Sequence, residues 1–230
     1  MRLAIISDIH EDHISLQKIL KRIDRTGCDK LICLGDISGF SESYYRYPKT
    51  RNAHACLELI REKCEIIVPG NHDLHAAGKI PKQPAGARYE QWKHEEDLDP
   101  GYNEEEVAFL ASLPAYTVLP TPEYSILLSH YASPNLSGII KGFYTRGKEF
   151  GPHFEFMQKN NCTLGFTGHA HARGFYTVIP GRFRHYGYRP LHLKNFPVVV
   201  GIPPVTSHKY RSGFCIFDTD SHKVRVIKRY

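Results

Sequence analysis

Between Arg2 and Asp73 short apolar runs alternate with amphipathic stretches, and every apolar run ends in a polar cluster. Arg2-Leu3-Ala4-Ile5-Ile6-Ser7 runs into Asp8-Ile9-His10. Lys30-Leu31-Ile32-Cys33-Leu34 runs into Gly35-Asp36-Ile37-Ser38-Gly39, and Glu65-Ile66-Ile67-Val68 passes through Pro69 into Gly70-Asn71-His72-Asp73. The runs are continuous rather than alternating, as in strands covered on both faces. Between them, Leu16, Ile19, Leu20 and Ile23, and then Ala53, Cys56, Leu57 and Ile60, recur at helical spacing, with Gly27 as a stop after the first set. Strand, helix, strand, helix, strand is the signature of a parallel sheet with crossover helices, an α/β class. Such sheets bind ligands beyond the carboxyl ends of their strands, where all three polar clusters fall.

The rest of the chain is less regular. A polar segment from Phe40 to Asn52 contains Tyr44-Tyr45-Arg46-Tyr47. Residues 74–102, with Pro81, Pro84, Gly86, Pro100, Gly101 and the single tryptophan, Trp92, read as an irregular or partly helical excursion near the site. Asn103 followed by Glu106 predicts a capping box opening a helix that buries Val107, Phe109 and Leu110. Strands are expected at 116–119, at 124–128 ending in Ser129-His130, and at 164–167 ending in Gly168-His169-Ala170-His171. Residues 131–151 read as loop and Phe154 to Lys159 as a helix. The remainder alternates like antiparallel strands at 175–179, 198–200, 214–217 and 224–227, with Asp218-Thr219-Asp220-Ser221 as the last hairpin turn.

A chain of 230 residues, 41% hydrophobic and 23% charged, is most simply one globular domain spanning residues 1–230. Six cysteines without paired short spacing, several inside apolar runs, fit buried free thiols better than disulfides or a zinc knuckle. No run is long enough to span a membrane, and no charged leader with an apolar block precedes the first strand. A cytoplasmic protein is therefore expected. The formal charge of +6 is too small to imply a nucleic-acid surface and agrees with an anionic small substrate. Fourteen histidines raise the question of metal ligation.

Asp8 and His10 stand two apart at a strand end, a spacing that sends both side chains to one face. His169 and His171 repeat it, and Asp36, Asn71 and His130 follow three other strands. Seven candidate ligands exceed the four positions of one tetrahedral site and suit two adjacent ions sharing a ligand. Asp36 is the best bridge, because a carboxylate has two oxygens to divide. Two divalent ions would leave a residual charge near +2 after Asp8 and Asp36, to be met by a bridging hydroxide nucleophile and an anionic substrate. His72 is not needed as a ligand and is followed by a carboxylate, so it suits a general acid. The histidine-rich set favours transition metals, Mn first, with Fe, Zn, Ni or Co as alternatives, over Mg or Ca.

In this order the blocks Asp-x-His (Asp8, His10), Gly-Asp-x-x-Gly (Asp36), Gly-Asn-His-Asp (Asn71), His (His130) and Gly-His-x-His (His169, His171) resemble the calcineurin-like metallophosphoesterases. A glycine-containing late loop at Gly201 and a terminal hairpin ending in Tyr230 resemble the small single-domain bacterial phosphodiesterase and phosphatase branch. The resemblance implies a four-layer α/β/β/α sandwich of two mixed sheets flanked by helices. It implies one metal held by Asp8, His10, Asp36 and His171, and a second by Asp36, Asn71, His130 and His169. It further implies that His72 meets the phosphate and assists the leaving oxygen while Asp73 orients its ring. The expected activity is phosphoester hydrolysis, by a phosphodiesterase or a phosphatase, on a small or nucleotide-like substrate. A nuclease, or a non-catalytic interaction module on the same fold, is the alternative.

Three departures from the family pattern bear on the substrate. Glu11-Asp12 stands where many relatives have Gly-Asn, and two added carboxylates are expected to weaken phosphate binding or change the leaving group. Tyr131 replaces a glycine after His130 and is expected to narrow the space near that ligand. Gly201-Ile202-Pro203-Pro204 replaces a Gly-Ser loop. Elsewhere, His13, His75 and His94 read as surface residues. Tyr44, Tyr45 and Tyr47 with Arg46 fit a packed or solvated loop better than a base-stacking surface. The basic-aromatic run from Arg182 to Arg189 fits either a solvated hairpin or a second phosphate site.

Overall fold

The computed structural model describes residues 1–82, 89–206 and 212–229. Pro84, Gly86 and the terminal Tyr230 lie outside the described residues. The first apolar run forms β1 (Arg2–Ile6), followed by α1 (His13–Asp24), β2 (Lys30–Cys33), α2 (Ala53–Lys63) and the two-residue β3 (Ile66–Ile67). These three strands are parallel, with β1 beside β2 and β2 beside β3. Gly70-Asn71-His72-Asp73 is not a plain loop. It opens α3 (Asn71–Ala76), because the Asp73 carboxylate accepts from the Gly70 amide and closes the first helical turn.

The middle of the chain supplies α4 (Glu104–Ser112), β4 (Tyr116–Pro120), β5 (Ser125–Ser129), a 3-10 turn at Gly147–Phe150, α5 (Gly151–Lys159) and β6 (Cys162–Thr167). The capping box expected at Asn103 and Glu106 is present. The remainder forms β7 (Phe175–Ile179), β8 (Arg182–Gly187), β9 (Leu191–His192), β10 (Val198–Gly201), β11 (Gly213–Asp218) and β12 (Lys223–Lys228). The basic-aromatic run is thus largely a strand, β8, at the outer edge of a sheet, antiparallel to β7.

The strands divide into two mixed sheets, ordered β3-β2-β1-β11-β12-β9 and β4-β5-β6-β10-β7-β8. The last hairpin, β11–β12, crosses back to pair antiparallel with β1, while β10 lies parallel to β6. Alternation within each strand sets the layers. Leu3 and Ile5 of β1 meet Ile126 and Leu128 of β5, Leu164 and Phe166 of β6 and Phe217 of β11 between the sheets. Ala4 and Ile6 face the other way, against Leu16 and Ile19 of α1 and Leu57 and Ile60 of α2. On the far side, Leu127, Val178 and Val199 pack against Phe150 at the end of the 3-10 turn and Met157 of α5. Each fully buried aliphatic side chain in these layers contributes about 1.5–3 kcal/mol. The outcome is the four-layer α/β/β/α sandwich. All six cysteines are free thiols, four of them buried. Among the described residues no helix is long and apolar enough to cross a membrane.

The two acids after His10 serve the fold. Asp12 caps α1, accepting from the Ser15 amide and hydroxyl. Glu11 is fully buried, ion-paired at 2.8 Å with Arg51, and accepts from the Phe40 amide. The expectation that they weaken phosphate binding or change the leaving group is corrected: one charge is paired with Arg51 and the other is spent at a helix N-terminus. Removing Arg51 alone strands a buried carboxylate. Arg51→Met is therefore expected to cost about 3 kcal/mol in a urea denaturation series, and Glu11→Gln added to it to recover a substantial part.

Candidate metal centre and catalytic cleft

Five strand ends converge at one edge of the sandwich. Asp8 and His10 follow β1, Asp36 follows β2, and Asn71 follows β3 in the first sheet. His130 follows β5, and His169 and His171 follow β6, in the second. Backbone hydrogen bonds stitch these ends together: Asp8 N–H to Gly35 O at 2.9 Å, His10 N–H to Asp36 O at 3.0 Å, and Gly168 N–H to His130 O at 2.8 Å. The late loop joins them, with the Thr206 amide donating to Asp8 O at 3.0 Å.

The same-face spacing of Asp8 and His10 has a different origin from strand pleating. Both residues lie beyond the end of β1, with φ of 57° and 48°, and His169 and His171 lie beyond β6 with φ of 61° and 45°. Asp36 has φ of 53°. Five of the seven candidate ligands therefore occupy the left-handed region, which non-glycine residues rarely adopt and which costs free energy at each position. Two glycines make room for the rings. A Cβ on Gly39 would come within 2.2 Å of His72 Cγ, and one on Gly138 within 2.5 Å of His169 Nδ1.

The ligand atoms fall into two groups. Asp8, His10 and His171 place theirs within 4.8 Å of one another, and so do Asp36, His130 and His169. Asp36 Oδ2 lies 3.1 Å from His130 Nε2 and 3.8 Å from His10 Nε2, so one carboxylate reaches into both groups. His10 Nδ1 donates to Gly39 O at 3.0 Å and His130 Nδ1 donates to Leu34 O at 2.6 Å. A carbonyl can only accept, so each Nδ1 carries a proton, and in the neutral ring Nε2 is the atom left for a metal ion. Burial opposes charge on His130, but Asp36 outweighs it and raises that ring to about 9, a positive charge that a bound cation would replace. Burial pushes the His10 and His169 imidazoles down to about 3, so both rings are neutral near pH 7. Asn71 is almost fully buried, yet neither its Oδ1 nor its Nδ2 has a hydrogen-bond partner, and His169 Nε2 is equally orphaned. Unsatisfied buried groups cost about 1–3 kcal/mol each, and a cation facing Oδ1 and Nε2 would remove that cost. The residues fit divalent metal ions.

His72 sits beside this cluster. Its amide donates to Asp36 Oδ1 at 3.0 Å, and its ring Nδ1 donates to Asp97 Oδ2 at 2.5 Å. Burial opposes charge on this ring, but Asp36 and Asp97 outweigh it and raise its pKa above the ordinary histidine value. The expectation that Asp73 orients His72 is corrected. The Asp73 carboxylate accepts from the Ile37, Ser38 and Gly70 amides at 2.9, 2.9 and 3.0 Å, tying the loop after β2 to the start of α3. Three accepted backbone hydrogen bonds hold it facing the main chain rather than the neighbouring ring. Asp97, in the polar excursion, takes the orienting position, and no local pattern marks it beyond its place in His94-Glu95-Glu96-Asp97.

His94 is also corrected. It is buried, its Nδ1 donates to the same Asp97 oxygen at 3.0 Å, and His75, which is exposed, stacks on it at 4.6 Å. Tyr131 does not narrow the cleft; its buried ring packs behind His169 at 4.6 Å and its hydroxyl accepts from the Tyr144 amide. Tyr45 stacks on His10 at 4.9 Å, and the Tyr47 hydroxyl donates to His10 O, so both support that candidate ligand. His10, Asp36, Asn71, His72, His169 and His171 all line one cavity of about 220 Å³.

The calcineurin-like phosphoesterase family model matches residues 1–173. An uncharacterized protein of Methanocaldococcus jannaschii is 28% identical, covering 98% of this chain and 86% of the relative. Among solved structures, a metallophosphoesterase from Sphaerobacter thermophilus superposes with a TM-score of 0.71 at 22% identity, covering 98% of this chain and 86% of that one. A hypothetical protein from Pyrococcus horikoshii gives 0.65 at 15% identity, covering 99% and 87%. The family match spans three-quarters of the chain and contains all seven candidate ligands. The chain belongs to the calcineurin-like phosphoesterase family and is a metal-dependent phosphoester hydrolase.

Proposed function

We propose that the protein hydrolyses small phosphodiesters at a centre of two divalent transition-metal ions, Mn foremost. Asp8, His10, Asp36 and His171 would hold one ion, and Asp36, Asn71, His130 and His169 the other. The observation that carries this reading is Asp36, whose Oδ2 approaches a histidine of each group. Bound there, such ions supply Lewis acidity to the phosphoryl oxygens and lower the pKa of water towards neutrality.

The chain's own residues do the rest. With Nδ1 held by Asp97, His72 has Nε2 left to give a proton to the departing alkoxide oxygen, and the Asp97 carboxylate stabilises the ring while it is charged. Asp97 acts through His72 and is a positioning residue. A diester is favoured over a monoester by charge. Among the described residues lining the cleft there is no lysine or arginine, while Asp36 and Asp97 both line it. A monoester dianion brings one more negative charge than a diester. The same lack of cations disfavours a long nucleic-acid backbone, which proteins grip through Lys and Arg.

With Mn supplied, kcat/KM for bis(4-nitrophenyl) phosphate is expected to exceed that for 4-nitrophenyl phosphate by roughly tenfold or more, and chelation to abolish both. The opposite preference would make the protein a phosphatase. No turnover by fully metal-loaded protein would make it an interaction module.

Asp97→Asn and His72→Gln are expected to lower kcat by about 100-fold on a 2′,3′-cyclic nucleotide, whose alkoxide leaving group needs a proton. Both are expected to change little on the nitrophenyl diester, whose leaving group needs none. Asp73→Asn is expected instead to lower stability by about 1–3 kcal/mol in chemical denaturation, because it loosens three backbone contacts.

A further inference from the structure

Three aromatic side chains rim the histidine-lined cleft, and two of them are conspicuously exposed. Tyr44 is 52% and Phe143 51% accessible, whereas the neighbouring Phe40 and Tyr45 are buried. Trp92, the third, stands 6.2 Å from Tyr44 and 6.1 Å from the His72 ring, so it borders the leaving-group side. Phe143 stands over His169 at 5.5 Å. Their backbones are tied together: the Trp92 amide donates to Ile139 O at 2.9 Å, and Gln91 bridges to Ile140. The polar excursion and the loop after β5 thus form one wall that holds aromatic faces beside the reacting centre. Single exposed rings are ordinary, but rings grouped on one wall of a cleft form the kind of apolar patch that marks a ligand-binding groove. No lysine or arginine is among the described residues lining this cleft, while Lys93 and Lys141 line the adjoining hollow that shares Tyr44 and Trp92.

We propose that Tyr44, Trp92 and Phe143 form a stacking site for a nucleobase on the substrate, so that the diester is a small nucleotide rather than a sugar or lipid ester. This rests on the phosphoester reading for the adjacent centre but is tested by binding alone. Every base presents a π-face, so the site is tolerant of base identity, and stacking of this kind is worth about tenfold or more in affinity.

Trp92 is the single tryptophan, so its fluorescence reports on this wall directly. Adenosine 5′-monophosphate and ribose 5-phosphate share sugar and phosphate and differ only in the base. Titrated into Mn-loaded protein, the nucleotide is expected to bind about tenfold more tightly. In Tyr44→Ala and in Phe143→Ala the ratio of the two affinities should fall towards one. Both side chains are half exposed, so neither truncation empties the core. Equal affinities in the unaltered protein, or a ratio untouched by both truncations, would overturn the proposal. A base preference in a protein that cleaves no phosphoester would sink the hydrolase reading and leave the stacking site standing. Diester cleavage with no base preference would do the reverse.

Discussion

The carboxylate of Asp36 is the contact on which the site depends. It leaves the first sheet, meets His10 from that sheet and His130 from the second, and accepts from the His72 amide with its other oxygen. One buried anion thereby joins two histidine groups and the start of the helix that carries the acid candidate. Its surroundings hold it in place by shape. A Cβ on Gly70 would lie 2.0 Å from Asp36 Oδ1, so a side chain at that position would displace the carboxylate. Asp36 itself stands in the left-handed backbone region, a strain the rest of the fold sustains.

The two-sheet architecture explains how that strain is supported. His130 reaches across from the second sheet to Leu34 O of the first, and the late loop returns to bond Ser7 and Asp8. The loops that carry the candidate site are thus anchored by strands with apolar cores on each face. Tyr45 and Tyr131 pack against the rings of His10 and His169, and the Tyr47 hydroxyl holds the His10 backbone, so packing and a hydrogen bond fix these candidate ligands. Glu11 and Asp12 belong to the same scaffold.

Continuous apolar runs separated by helical periodicity made the parallel core and its strand ends legible, because burial on both faces imposes that pattern. The seven clustered residues were legible because each directly follows such a run. What was not legible depends on backbone conformation and on long loops. Left-handed φ values at Asp8, His10, Asp36, His169 and His171 have no compositional signature, so from sequence the same-face spacing reads as strand pleating. Asp73 looked like the partner of His72 because it is adjacent in sequence, but in a helical turn adjacent side chains diverge. Asp97 and His94 reach the site only through the path of an irregular excursion, which periodicity does not describe. Glu11 required knowing that Arg51 returns to it.

The central claim, that Asp36 unites two metal positions, is tested most directly by equilibrium Mn binding followed by elemental analysis of the unaltered chain, Asp36→Asn and Asn71→Ala. Close to two ions per chain are expected in the unaltered protein. Asn71→Ala is expected to keep one of them, and Asp36→Asn to weaken both. A single ion in the unaltered chain, or loss of only one ion in Asp36→Asn with the other bound at full affinity, would contradict it.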